Sequence, residues 1–354
     1  MSVPASGLHP LRPVTGTYAE VWAALRTWWD DPDGPVVVRT SGSSGAPKDV
    51  ALSHAALSAS ASASLDRLGG AGRWVLDLPV ATVAGLQVMV RSLLGGNEPV
   101  VVGARSEERA GFARGTRAYT SLVPTQLYRH DRAGTLGSLA GFDAVLVGGA
   151  PTELSLLDRA RAAGVRVVTT YGMTETSGGC VYDGLGLDGV AVRVAADGRI
   201  HLAGPMLFDG YAGDEAATAA VLREGWLCTR DLGRLDDEGR LVVTGRADDM
   251  VLSGGVSVHL TTVEGAIRTH PTVAEAAAVA VDDREWGLRV VAVVVPRGAA
   301  ATLAELRDHV ASTVPRSWAP RELVVVDALP RLAGHKLDRL SLSRLASEGA
   351  PNQR

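Results

Sequence analysis

The sequence predicts an α/β protein with two domains, and two observations predict it. Apolar, mostly β-branched runs at Trp74-Val75-Leu76, Val100-Val101-Val102, 117–123, Ala144-Val145-Leu146-Val147 and Val165-Arg166-Val167-Val168 alternate with helical patterns over 83–94, from Pro124, and over 152–163. Buried strands separated by helices make a largely parallel sheet with both faces covered. From about residue 189 the pattern changes to short strands at 190–195, 199–202, 226–229 and 240–243. The turn signals Ala196-Asp197-Gly198 and Asp237-Glu238-Gly239 mark antiparallel hairpins there, a small β-rich subdomain. Beyond Asp248 a mixed pattern follows, with helix over 262–269, strands over 273–281 and 288–296, helix over 302–314 and strand over 322–326. The domains are therefore expected at 1–247 and 248–354.

Ahead of the sheet, residues 17–29 place Val21, Trp22, Leu25, Trp28 and Trp29 on one helical stripe, a core-facing helix. Next comes Thr40-Ser41-Gly42-Ser43-Ser44-Gly45-Ala46-Pro47-Lys48, between the apolar run Pro35-Val36-Val37-Val38 and the helical segment 53–67. The reading is strand, glycine loop, helix. Glycines let backbone N–H groups turn inward, the hydroxyls donate hydrogen bonds and Lys48 adds positive charge, which suits a polyphosphate. Pro47 precedes the lysine, so a Walker A loop is disfavoured. A solvated Ser/Gly linker is the bland alternative.

Parallel sheets bind ligands at the carboxyl ends of their strands. Three loops qualify: 40–48, Gly148-Gly149-Ala150, and Tyr171-Gly172-Met173-Thr174-Glu175. In the last, Tyr171 offers a flat face for a base, Thr174 a hydroxyl, and Glu175 a hard oxygen for Mg²⁺ beside phosphates. The tail 327–354 reads as a polar loop around Lys336.

Composition narrows the function. Lys and Arg total 35 and only Lys48 and Lys336 are lysines, which leaves 33 arginines. A chain that uses arginine almost everywhere keeps lysine where a compact ammonium is needed. A net charge of −4 gives no footprint for nucleic acid or anionic membrane. Cys180 and Cys228 are too few for a disulfide framework, and neither a leader nor a membrane-spanning run is visible, so a cytoplasmic setting is expected. His54, His130, His201, His259 and His270 show no pairing signature.

Together these stretches resemble the adenylate-forming superfamily of acyl-CoA synthetases, peptide-synthetase adenylation domains and luciferases. Thr40 to Lys48 resembles its phosphate loop, and Tyr171 to Glu175 its Tyr-Gly-x-Thr-Glu motif. Asp231 and Arg246 resemble its ribose-binding pair, Asp248 its hinge, and Ser253-Gly254-Gly255 the glycine pair near its thiol tunnel. The stretches His270-Pro271-Thr272-Val273-Ala274-Glu275-Ala276-Ala277 and Glu285-Trp286-Gly287 are similar to its C-terminal domain, and Lys336 to its catalytic lysine. Asp49, Arg230 and His335 each replace a glycine of the pattern. Only 39 residues precede Thr40, so the N-terminal domain is expected to be abbreviated. That form, with 78–86 and 121–127, resembles the short actinobacterial o-succinylbenzoate-CoA ligases of menaquinone synthesis.

The resemblance implies a large N-terminal domain and a small mobile C-terminal domain. It implies ATP, Mg²⁺ on Glu175, a carboxylic acid, CoA as acyl acceptor, catalysis by Lys336, Glu175 and Thr174, and a homodimer as a family expectation. It places the nucleotide on residues 40–45, Lys48, Gly148, Gly149, Ala150, Tyr171, Gly172, Met173, Asp231 and Arg246. The acid would meet Thr82, Gly85, Ser121, Ser177 and Gly178, and the thiol would approach past Ser253 to Gly255. Two alternatives stay open, loading of a carrier-protein thiol in trans and a non-catalytic binding homologue; a plain nucleotide hydrolase lacks a Walker A loop and leaves Lys336 unexplained.

Overall fold

The computed structural model describes residues 11–40, 47–102, 116–331 and 337–348. The chain forms two compact units. One comprises 1–195, 201–229 and 235–242, the other 196–200, 230–234 and 243–354.

A seven-stranded sheet forms the spine of the first unit. Its strands lie in the order Val100–Val101, Arg73–Leu76, Ala118–Leu122, Ala144–Gly148, Val167–Met173, Gly178–Tyr182 and Leu185–Gly186. The first five run parallel and the last two antiparallel. The β-branched runs are buried on both faces, as a parallel sheet requires. On one side Leu127, Leu156, Leu157 and Ala160 from the helices Pro124–Arg132 and Leu154–Ala162 pack on Val145, Val147 and Val167. The helices His54–Arg67 and Val83–Leu94 begin where side-chain hydroxyls satisfy their free amides: Ser53 accepts from Ala56 N, and Thr82 from Gly85 N. Helix Tyr18–Asp30 starts with a capping box, Thr17 with Glu20, and buries Val21, Trp22, Leu25 and Trp28 from the expected stripe.

One element differs from the sequence reading where it matters. Residues 48–52 form a strand absent from that reading, and the helix follows at His54–Arg67 as expected. Lys48–Leu52 pairs antiparallel with Val36–Thr40 and with Gly210–Tyr211 in a separate three-stranded sheet. The strands on either side of residues 41–46 are thus an antiparallel pair, and Val36–Thr40 is not a strand of the parallel sheet. The five residues after Pro47 alternate too little to announce a strand, which is set by pairing with Val36–Thr40 along its whole length and with Gly210–Tyr211, 158 positions on, at Val50 and Ala51. Similarly, Tyr171, Gly172 and Met173 continue their strand, with Thr174–Thr176 making the turn.

Antiparallel hairpins follow as expected, in the order Ala191–Val194, Arg199–Ala203, Trp226–Leu235, Leu222–Arg223, with Leu241–Arg246 also on Trp226–Leu235. In the second unit Val273–Asp283 and Gly287–Pro296 form a long hairpin joined by Glu322–Val325 in parallel and by the hairpin Met250–Ser253 and Val256–His259. Alternate residues separate its two faces. Ala276, Ala278, Val290 and Ala292 meet Val263, Ile267, Leu306 and Val310 of two helices, while Ala277, Val279, Val291 and Val293 meet Leu342 and Ala346. Those last two lie on the helix Arg339–Glu348, which corrects the reading of 327–354 as a polar loop. Its two buried positions, Leu342 and Ala346, are four apart, while Leu340 and Leu345 stay exposed. Only the waiting second face of the sheet makes the buried pair a core.

Candidate active site

In the first unit the hairpin, the motif turn and the strand Gly210–Tyr211 converge. Thr40 Oγ1 accepts the Lys48 amide at 3.3 Å and donates to the Lys48 carbonyl at 3.2 Å. Lys48 Nζ lies 4.1 Å above the centroid of the Tyr211 ring. The Tyr211 hydroxyl donates to Glu175 Oε1 at 2.8 Å. Lysine and glutamate, 127 positions apart in sequence, are thereby brought together through one aromatic ring.

The backbone around them is tied as well. Phe208 N–H donates to the Glu175 carbonyl at 2.9 Å and Ala212 N–H to the Asp49 carbonyl at 2.8 Å. Phe208 packs edge-on against Tyr211, with centroids 5.1 Å apart. Sequence reasoning missed Tyr211. Its signal is weak, a lone Gly-Tyr pair after an apolar stretch, and its role exists only through partners distant in the chain.

At the carboxyl ends of the sheet the glycines are there for close approach. A Cβ at Gly148 would stand 2.1 Å from Thr170 Oγ1, and one at Gly172 2.1 Å from the Gly178 carbonyl oxygen. Gly149, at φ +83°, turns the chain away after the strand. Ser177 takes a left-handed conformation at φ 51°. It is wholly buried, and its hydroxyl donates to the Met206 carbonyl at 2.9 Å. Thr82 is occupied by its helix cap and by the Pro79 carbonyl, and a Cβ at Gly85 would press within 2.2 Å of that same oxygen. Ser121 is buried at its strand's carboxyl end.

The second unit carries the other polar cluster. Buried Asp231 meets Arg246 Nη1 at 2.7 Å, and Asp248 accepts from Arg246 at 3.3 Å and from Arg230 at 3.2 Å. Burial disfavours the Arg246 charge, but Asp231, Asp248 and Asp249 outweigh it and hold its pKa above the usual value. Arg230, which departs from the family's glycine, thus has a carboxylate partner. Asp49 has one too. It receives two hydrogen bonds from the opposing Arg39, at 2.7 and 2.8 Å, which lower its pKa. Ser253, Gly254 and Gly255 form the tight turn of Met250–His259, with φ +56° and +79° at the glycines as a two-residue hairpin demands. Ser41, Gly42, Ser43, Ser44, Gly45, His335 and Lys336 lie outside the described residues.

Two family models match the chain, AMP-binding enzyme over residues 18–212 and AMP-binding enzyme C-terminal domain over 262–336. The chain belongs to the AMP-binding enzyme family. It is 46% identical to a probable 2-succinylbenzoate–CoA ligase of Mycobacterium tuberculosis over 330 residues, 89% of this chain and 85% of that one. Its fold is that of the o-succinylbenzoate CoA synthetase of Bacillus subtilis. In complex with the acyl-adenylate OSB-AMP that protein matches with a TM-score of 0.76 and 30% identity, over 86% of this chain and 68% of the other. In complex with ATP and magnesium it matches at 0.75 and 30%, over 86% and 69%. The expected adenylate-forming fold is therefore present. No helix among the described residues is long and apolar enough to cross a membrane.

The family's metal suits the residues present. Glu175 supplies one half-buried carboxylate, and no group of three or more His, Cys, Asp or Glu among the described residues could hold a metal alone. Mg²⁺ beside phosphates is held that way, by one or two carboxylates with water and phosphate oxygens completing its shell.

Proposed function

We propose that this enzyme is an ATP-dependent acid–thiol ligase that converts o-succinylbenzoate into its acyl-adenylate and then into o-succinylbenzoyl-CoA, a step of menaquinone synthesis. The observation that carries this reading is the 46% identity with the mycobacterial ligase across nearly the whole chain.

A free carboxylate is a poor acyl donor because oxide would have to leave. In the first half-reaction a carboxylate oxygen attacks the α-phosphorus of ATP, the bond to the β-phosphate breaks and pyrophosphate departs. Catalysis there is positioning and charge neutralisation. In this reading Lys48 and the hydroxyls and amides of 40–45 hold the outer phosphates, and Glu175 with Thr174 faces the metal, which neutralises phosphate charge when bound. Tyr171 with Gly148 to Ala150 and Gly172 receives the adenine, and Asp231 with Arg246 the ribose. Lys336 bridges the carboxylate and the α-phosphate, two anions that otherwise repel. In the second half-reaction the CoA thiolate attacks the acyl carbon and AMP leaves. Asp248 serves as the hinge between domains 1–247 and 248–354, which exchanges Lys336 for the Ser253 to Gly255 turn. Neither cysteine is needed as a nucleophile.

The test is product detection by mass spectrometry with Mg²⁺, ATP, CoA and o-succinylbenzoate, with benzoate, salicylate and medium-chain acids in parallel. A CoA thioester formed selectively from o-succinylbenzoate supports the reading. Accumulated adenylate without thioester points to a carrier thiol, and no product from any acid rejects the reading. Lys336→Ala should lower adenylate formation on the order of a hundredfold or more while thioester formation from supplied acyl-adenylate survives. Equal loss of both half-reactions would remove the bridging role.

A further inference from the structure

We propose that Tyr211 is a positioning residue of the nucleotide site, aligning the Lys48 ammonium with its ring and the Glu175 carboxylate with its hydroxyl so that lysine and metal face the same phosphates. This rests on the assignment of Lys48 and Glu175 under the proposed function and adds a residue that connects them.

The first contact needs an aromatic ring and the second needs the tyrosine hydroxyl. The ring face attracts a cation through its quadrupole, and Lys48 Nζ stands over it at 4.1 Å. The hydroxyl, 2.8 Å from Glu175 Oε1, commits that oxygen and leaves the carboxylate's direction fixed. Residues that hydrogen-bond a metal's carboxylate tune its affinity in this manner.

Tyr211 is itself held from several sides. It is 9% exposed, and its strand pairs with Lys48–Leu52 opposite Val50. Its amide donates to Thr218 Oγ1 at 2.8 Å, and that hydroxyl donates to the Asp214 carbonyl at 2.9 Å. Gly210, at φ +148°, lets Thr218 come that close, since a Cβ there would lie 3.0 Å from its Oγ1. A side chain fixed this firmly can transmit position, whereas a mobile one could only fill space.

The test uses the full chain. Calorimetric ATP binding is measured with Mg²⁺ and with EDTA, alongside the Mg²⁺ dependence of adenylate formation, for wild type, Tyr211→Phe, Tyr211→Leu, Thr218→Val and Glu175→Gln. Tyr211→Phe should keep the melting temperature and the binding of metal-free ATP. Its half-saturating Mg²⁺ concentration should rise about ten- to a hundredfold. Tyr211→Leu should weaken metal-free ATP a few-fold as well, because Lys48 loses its platform. Thr218→Val, which leaves the Tyr211 hydroxyl in place but removes the Thr218 oxygen that accepts its amide, should fall between wild type and Tyr211→Phe. An unchanged preference for Mg²⁺-bound ATP in Tyr211→Phe, with Glu175→Gln losing it, overturns the role of Tyr211 alone. An unchanged preference in Glu175→Gln overturns the metal assignment, and the proposal with it. A wild type that binds no ATP rejects the functional reading itself.

Discussion

The two ends of the seven-stranded sheet are built from opposite materials. At the amino ends, Trp74 and Tyr119 are wholly buried with centroids 5.1 Å apart, and the Arg91 guanidinium lies 4.8 Å over the Trp74 ring. Arg91, 3% exposed, donates to the Tyr182 hydroxyl, which in turn meets the hydroxyl of buried Ser64. Tyr119 donates to the carbonyls of Leu68 and Gly70. Large side chains fill that end, and most of their polar atoms meet one another or backbone carbonyls, though Trp74 Nε1 is left without a hydrogen bond. At the carboxyl ends the residues are Gly148, Gly149, Ala150, Gly172 and Gly178, and the acid Glu175 is only half-buried. One end spends side-chain volume on packing; the other withholds it. A fold that binds a nucleotide keeps its rigidity away from the place that must admit a ligand.

Variants at the two ends should therefore separate stability from activity. Trp74→Ala should have the largest effect on stability, about 3–5 kcal/mol by urea unfolding, because it empties the filled end. Its adenylation rate per folded molecule should stay near wild type. A proportional loss of rate would mean the two ends are coupled.

Gly172→Ala should cost about 1–3 kcal/mol, since the new Cβ meets backbone that cannot rotate away, and it should also abolish adenylate formation by moving Tyr171. Retained activity would show that the motif turn has room to give.

Arg91 sharpens the comparison from the other side. Among the described residues its contacts are the Tyr182 hydroxyl and the Trp74 ring, and its Nε has no hydrogen-bond partner. A buried charge so poorly compensated contributes little net stability, so Arg91→Met should leave the unfolding midpoint unchanged or raise it. A fall as large as that of Trp74→Ala would show that the guanidinium is essential to the packing of that end.

The smallest effect concerns Cys180, whose thiol burial pushes up to about 12 from an ordinary value of 9.0. The folded state then holds its proton more tightly than the unfolded state. Its contribution is complete below pH 9 and is lost as pH rises towards 12. Comparing wild type with Cys180→Ala over that window should isolate it. In the native protein at neutral pH a maleimide should label Cys228 and spare Cys180, with both labelled after unfolding.

Much of the chemistry was legible before any fold was known. The adenylate-forming resemblance, the parallel alternation of 73–173 and the hairpins after 189 all rest on short-range patterns, because strand and helix periodicities and turn residues act within a few positions. Thr82 as a helix cap and Gly254-Gly255 as a tight turn, by contrast, came from the structure. Other features depended on partners far along the chain. That Lys48–Leu52 is the middle strand of three is completed only by Gly210-Tyr211. Whether Arg339–Glu348 is a loop or a helix is decided by the open face of a sheet whose long hairpin lies 43 to 66 residues before Arg339. The departures Asp49 and Arg230 read as defects until Arg39 and Asp248 stand opposite them. Tyr211 has no motif of its own, and its place between Lys48 and Glu175 exists only in three dimensions. Sequence alone determined which groups this protein has available for nucleotide chemistry, because residue type and local spacing set them. Tertiary structure alone decided which of those groups meet, because contact across more than a hundred residues is a property of packing.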